Sequence, residues 1–99
     1  MYNLKFSEES KMDIDEIRRY ISKDGIDIAN KQIRKMRAKA KTLRDFPNLG
    51  KKLEGTDYRF LVSAPYLIFY RVHERQMRVE VARILDGRRD YMKVLKFTK

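Results

Sequence analysis

Tyr66-Leu67-Ile68-Phe69-Tyr70-Arg71-Val72 is apolar at every position but Arg71. A strand with one face in water alternates polar and apolar residues, so a stretch without alternation reads as a central strand buried on both faces. Working outward, Ala64-Pro65 makes a turn before it, and His73 to Gln76 makes a polar turn after it. On the far side of the first turn, Tyr58, Phe60 and Val62 alternate with Arg59, Leu61 and Ser63; beyond the second, Met77, Val79 and Val81 alternate with Arg78, Glu80 and Ala82. The phase slips between Ala82 and Ile84, as a bulge would make it, and Asp86-Gly87 ends the strand. Three strands joined by short turns make a mainly antiparallel sheet.

Further upstream the period changes. Tyr2, Leu4 and Phe6 alternate with Asn3 and Lys5 as a short N-terminal strand. Ser7 then offers an N-cap, with Glu8 and Glu9 at the positive end of the helix dipole. Ile14, Ile17 and Ile21 form the apolar stripe of a first helix, with Asp13, Asp15, Glu16, Arg18 and Arg19 read as surface charge and Gly25 as its stop. Ala29, Ile33, Met36, Ala40 and Leu43 form the seam of a second helix that packs on the first as a hairpin. Phe46-Pro47-Asn48-Leu49-Gly50 begins a loop that runs to about Thr56. The expected fold is therefore α+β, with an N-terminal strand, a two-helix hairpin and a mainly antiparallel sheet, in a single domain over residues 1–99. Arg88, Arg89, Asp90 and Tyr91 lead into a tail of unassigned conformation.

Composition narrows the chemistry. The chain has 99 residues, a formal net charge of +10 and no cysteine, and its mean hydropathy is −0.69. Disulfide frameworks, thiol nucleophiles and cysteine-based metal sites are excluded, and no apolar run is long enough for a membrane anchor or signal peptide. A cytoplasmic protein with an anionic partner fits this balance. Much of the charge sits between residues 28 and 44, where Lys31, Arg34, Lys35, Arg37, Lys39, Lys41 and Arg44 meet no acid. Such a run is either a solvated helix face or a binding surface. His73 is the single histidine and falls in a turn, and no glycine-rich phosphate loop precedes a helix, so neither a metal nor another cofactor is expected.

What remains is a group of Arg and Tyr residues at strand ends: Arg59, Arg71, Arg83, Arg88, Arg89 and Tyr91, with Asp86 beside them. Guanidinium groups hold phosphate in a forked geometry, and Asp or Tyr can move protons in 2′-hydroxyl cleavage of RNA. Arg59 falls on the strand face opposite Tyr58 and Phe60, and Arg83 there or at the adjoining bulge. Cross-strand pairing with Asp or Glu is the competing role for both.

Asp15-Glu16-Ile17 with Tyr20-Ile21, then Phe46 to Gly50, Tyr58-Arg59-Phe60-Leu61-Val62, Tyr66 to Val72 and Arg83-Ile84-Leu85-Asp86-Gly87-Arg88-Arg89-Asp90 together resemble the RelE/ParE toxin superfamily. The resemblance covers nearly the whole chain. It implies the toxin of a bacterial type II toxin–antitoxin module, held in a hetero-oligomer by an acidic cognate antitoxin. RelE-like members cut mRNA at the ribosomal A site; ParE-like members poison DNA gyrase. The nuclease branch carries cations where this sequence has Leu61 and Leu67, and its late tyrosine falls near Val94 or Leu95 instead of at Tyr91. The helix signature and the Pro47 to Gly50 turn are more similar to the ParE branch, in which His commonly stands in place of Asp86. The resemblance thus implies gyrase as target, with ribosome-dependent mRNA cleavage as the alternative and a non-toxic binding protein on the same scaffold as a third reading. For a nuclease the catalytic candidates would be Arg59, Arg83, Asp86, Arg88 and Tyr91; for target contact they are Arg59, Arg71, Arg83, Arg88, Arg89 and Lys93.

Overall fold

Strand β1 (Asn3–Phe6) is followed by helices α1 (Glu8–Ile21) and α2 (Ile26–Lys41) and a 3-10 turn at Thr42–Arg44. Strands β2 (Lys51–Lys52), β3 (Arg59–Ser63), β4 (Tyr66–His73) and β5 (Arg78–Asp86) come next, and a short helix α3 (Tyr91–Leu95) after them. The structure is a computed structural model and describes residues 1–96. The strands form one sheet in the order β1-β5-β4-β3-β2, antiparallel throughout except for the parallel pairing of β1 with β5. The expected α+β order is the observed one.

Local chemistry sets the ends of α1. The Ser7 side chain accepts the Ser10 amide at 3.0 Å and donates to the Ala82 carbonyl at 2.7 Å, so one hydroxyl caps the helix and ties it to β5. Gly25 is not the stop of α1, which ends at Ile21. It stands instead before α2 with φ of 138°, a backbone region open to glycine, and lets the chain reverse between the two helices.

The helices cover one face of the sheet. Ile14 and Ile17 of α1 and Ile33, Met36 and Ala40 of α2 meet Tyr66, Ile68, Val81 and Ile84, and Leu43, Tyr70 and Val79 extend this core toward the far end. On the opposite face Phe69 and Ala82 are buried by Tyr58 and by Leu95 of α3, with Tyr91, Phe60 and Leu67 packed around them. Strand β4 is therefore buried on both faces, and the second cover comes from the tail that had no assigned conformation. The bulge falls in β5: Phe69 pairs with Arg83 and Tyr70 with Val81, leaving Ala82 as the extra residue.

Two further expectations change. The loop after Phe46 contains the two-residue strand β2, and at Gly50 it approaches the sheet so closely that an added Cβ would lie 2.7 Å from the Phe60 carbonyl oxygen and from the Tyr70 ring. The Gly50 amide donates to the buried Tyr70 hydroxyl at 2.8 Å. Asp13 is not a surface charge. Its residue is only 7% exposed, on the α1 face that also buries Ser10, Ile14 and Ile17.

Candidate functional site

A cleft of about 500 Å³ lies where α1, the end of β5 and α3 meet, lined among others by Tyr20, Tyr66, Arg83, Asp86, Arg88, Arg89 and Tyr91. Past the bulge, Arg83 and Ile84 are bonded to Asp13 of α1, and Asp86 and Gly87 then lead the chain round to α3. The fold thus gathers five of the residues singled out by sequence: Arg83, Asp86, Arg88, Arg89 and Tyr91.

Arg83 is held from α1. Its Nε and Nη2 donate to the two Asp13 carboxylate oxygens at 2.8 and 2.9 Å, and the buried Ile84 amide donates to the same carboxylate at 2.9 Å. The hydrogen bonds to Asp13 raise the pKa of the guanidinium further above its ordinary value. Three charge-assisted or buried bonds converge on one carboxylate, which fixes the bulge against the helix. The cross-strand pairing considered for Arg83 is replaced by pairing with a helix.

Asp86 and Arg88 form a second forked pair. Arg88 Nε and Nη2 donate to Asp86 at 3.0 and 2.7 Å, and the Arg88 amide adds a bond of 2.9 Å. These hydrogen bonds lower the Asp86 pKa to about 2. A carboxylate so acidic carries no proton to donate near neutrality and is a weak base. Tyr91 stacks on Phe69 with ring centroids 5.2 Å apart, so its ring serves the second core while its flank borders the cleft. Burial raises the pKa of the Tyr66 hydroxyl. Arg89 is exposed and has no ion pair among the described residues.

The other candidates lie outside this cleft. Arg59 Nη1 donates to the Gly50 carbonyl at 2.9 Å and, more weakly, to that of Asn48 at 3.4 Å, holding the loop that Tyr70 also anchors. Arg71 lies over the Tyr58 ring, 4.3 Å from its centroid, and donates to its hydroxyl at 2.6 Å. Lys93 is exposed on α3. Leu61 packs against the helix-side core and Leu67 against the opposite one. Asp13 is the residue that the sequence reading missed. Ser10, Asp13, Ile14 and Ile17 follow the i, i+3, i+4, i+7 spacing of a buried stripe, and that spacing was the available signal. Among the described residues no cluster of three or more acids or histidines could hold a metal, and no helix is long and apolar enough to cross a membrane.

Comparison with solved structures places this architecture. The toxin of a chromosomal ParDE toxin–antitoxin system from P. aeruginosa superposes with a TM-score of 0.77 at 22% identity, over 87% of this chain and 96% of that one. The isolated E. coli RelE toxin gives a TM-score of 0.64 at 19% identity, over 97% of each chain. The intact E. coli RelBE complex gives 0.63 at 19% identity, over 90% of this chain and 100% of that one. The fold is that shared by RelE and ParE toxins. No curated protein sequence matches the chain. A family model described as the ParE toxin of the type II toxin-antitoxin system, parDE, matches residues 4–91, and the chain belongs to that family.

Proposed function

We propose that this toxin arrests bacterial growth by poisoning DNA gyrase and is neutralised by an acidic cognate antitoxin. The observation that carries the choice of gyrase is the pair Leu61 and Leu67. Where the nuclease branch has cations to stabilise charge developing on phosphate, both leucines are packed into apolar clusters. The remaining nuclease candidates are already engaged. Arg83 is neutralised by Asp13, Arg88 by Asp86, and Arg59 is a staple of its own loop. Target contact then falls to Arg89 and Lys93 beside the cleft and to Arg71 on the open part of the sheet.

The antitoxin reading rests on charge and on the sheet edge. The toxin's +10 suits an acidic segment. β2 pairs with β3 only at Phe60 and Arg59, so the outer edge of β3 from Leu61 to Ser63 has no strand beside it among the described residues. A strand of the antitoxin added there would complete the sheet.

One observation favours mRNA cleavage as the second reading: the cleft brings Arg83, Asp86, Arg88 and Tyr91 within one 500 Å³ space. Purified toxin assayed in parallel for inhibition of gyrase supercoiling and for ribosome-dependent mRNA cleavage decides between them. Gyrase inhibition with intact mRNA is expected; codon-specific A-site cleavage with normal supercoiling would reverse the order. Arg89→Ala with Lys93→Ala should lower toxicity with melting almost unchanged, because exposed charges contribute little to folding.

A further inference from the structure

The cations of α1 and α2 differ in what surrounds them. In α1, Lys11 pairs with Glu8 and Arg18 with Asp15. In α2 the only acid is Asp27 in the first turn, and Lys31, Arg34, Lys35, Arg37, Lys39 and Lys41 are all exposed. None of these six forms an ion pair among the described residues. Lys39 is accounted for by its hydrogen bond to the Val62 carbonyl at the edge of β3. Lys41 near the helix C-terminus is favoured there by the dipole, but Lys31, Arg34 and Lys35 stand in the middle, where the dipole gives no support.

We infer that the outer face of α2 is a binding surface for the phosphate backbone of duplex DNA, independent of base sequence and of the target the toxin poisons. Lys31 to Lys41 covers ten residues of helix rise, about 15 Å. A duplex presents about nine phosphate charges over that length. Repelling cations concentrated on one helix face with no acids among them are relieved when they displace the counterions condensed on such a polyanion.

A protein partner would need something this face lacks. Protein interfaces bury an apolar centre; the exposed large apolar residues of α2, Ile26 and Ile28, stand in its first turn, and none is exposed from there to Phe46. The α2 surface between them offers charge and the methyl of Ala38. Backbone phosphates require charge alone, whereas an antitoxin helix would find no hydrophobic seat between Lys31 and Lys41.

The test is fluorescence anisotropy of a labelled short duplex of arbitrary sequence with the full-length toxin, without gyrase, between about 50 and 200 mM salt. The stripe variant replaces Lys31, Arg34, Lys35, Arg37 and Lys41 with Gln. A control with the same net charge replaces Lys23, Lys51, Lys52, Arg75 and Lys96 with Gln. Each cation that meets a phosphate contributes about 0.9 to the log–log salt slope, so the stripe variant should lose up to about 4.5 and the control little. Arg34→Gln with Arg37→Gln, a lighter change to the helix, should lose about 1.8 and keeps the test open if the five-residue variant folds poorly. Equal losses in stripe and control variants would assign binding to net charge and overturn the surface. So would undiminished binding by the stripe variant, or loss of antitoxin capture with DNA affinity unchanged, which would make the face a protein contact.

Discussion

The two faces of the sheet are closed by different means. On the helix side two long helices bring a continuous apolar seam, and Ile33, Met36, Ile68, Val81 and Ile84 are each at most 2% exposed. On the opposite side five residues of α3 cover only one end, through Leu95 and Tyr91. Beyond that cover the same face carries Lys5 opposite Glu80, then Arg71 and Arg78. The helix side is built for stability, and the tail side combines a small core with the cations proposed for target contact. The cleft lies at the junction of the two, which is why its charged residues have one foot in each.

Breaking the junction should have the largest effect. Asp13→Ala strands the half-buried Arg83 and the Ile84 amide, and should cost about 3–5 kcal/mol in urea unfolding. Pairing it with Arg83→Met should recover most of that loss, because no buried charge is then left alone. Next, Ile33→Ala should cost about 4 kcal/mol and Leu95→Ala about 2 kcal/mol, since the seam cannot collapse around a cavity while α3 can shift. Equal costs would mean that the tail-side core is as firmly closed as the helix side. Tyr70→Phe, at the far end of the helix-side core, removes the acceptor of the Gly50 amide and should cost about 1–2 kcal/mol. The smallest effect belongs to Asp86. Its folded pKa of about 2 lies below that of the unfolded chain, so its contribution is complete above about pH 4 and lost as pH falls toward 2. Asp86→Asn should lower stability slightly near neutrality, and the difference from the parent should vanish as the pH falls toward 2, flattening acid unfolding in that window.

The helix side was legible and the junction was not, for a physical reason. Periodicity reports burial, and the seam from Ala29 to Leu43, the unbroken run from Tyr66 to Val72 and the slip after Ala82 are all statements about burial. The partner of a charge is a fact of tertiary geometry. Asp13 and Arg83 meet across 70 positions of sequence, and nothing local distinguishes Asp13 from Asp15 except its place on the stripe of Ser10, Ile14 and Ile17. Arg59 shows the same limit, since an arginine on an outer strand looks the same whether it will hold phosphate or the Gly50 carbonyl. The tail helix α3 is too short for a period to declare itself. The family resemblance agreed with the order of elements already read from periodicity but assigned no partner to any of these charges.

The parallel pairing of β1 with β5 has a consequence in time. Asn3 lies beside Arg78, so the first strand made must wait for the last. A growing chain can form its helical hairpin early, from contacts close in sequence, but the surface on which the hairpin rests is incomplete until β5 joins it. Closure of such long loops slows folding. A chain stopped short of Arg78 would lack the strand that carries Val79, Val81 and Ile84 and would have only part of its sheet beneath the helices. For a toxin of this family, incompleteness is then the same thing as harmlessness until the fifth strand arrives.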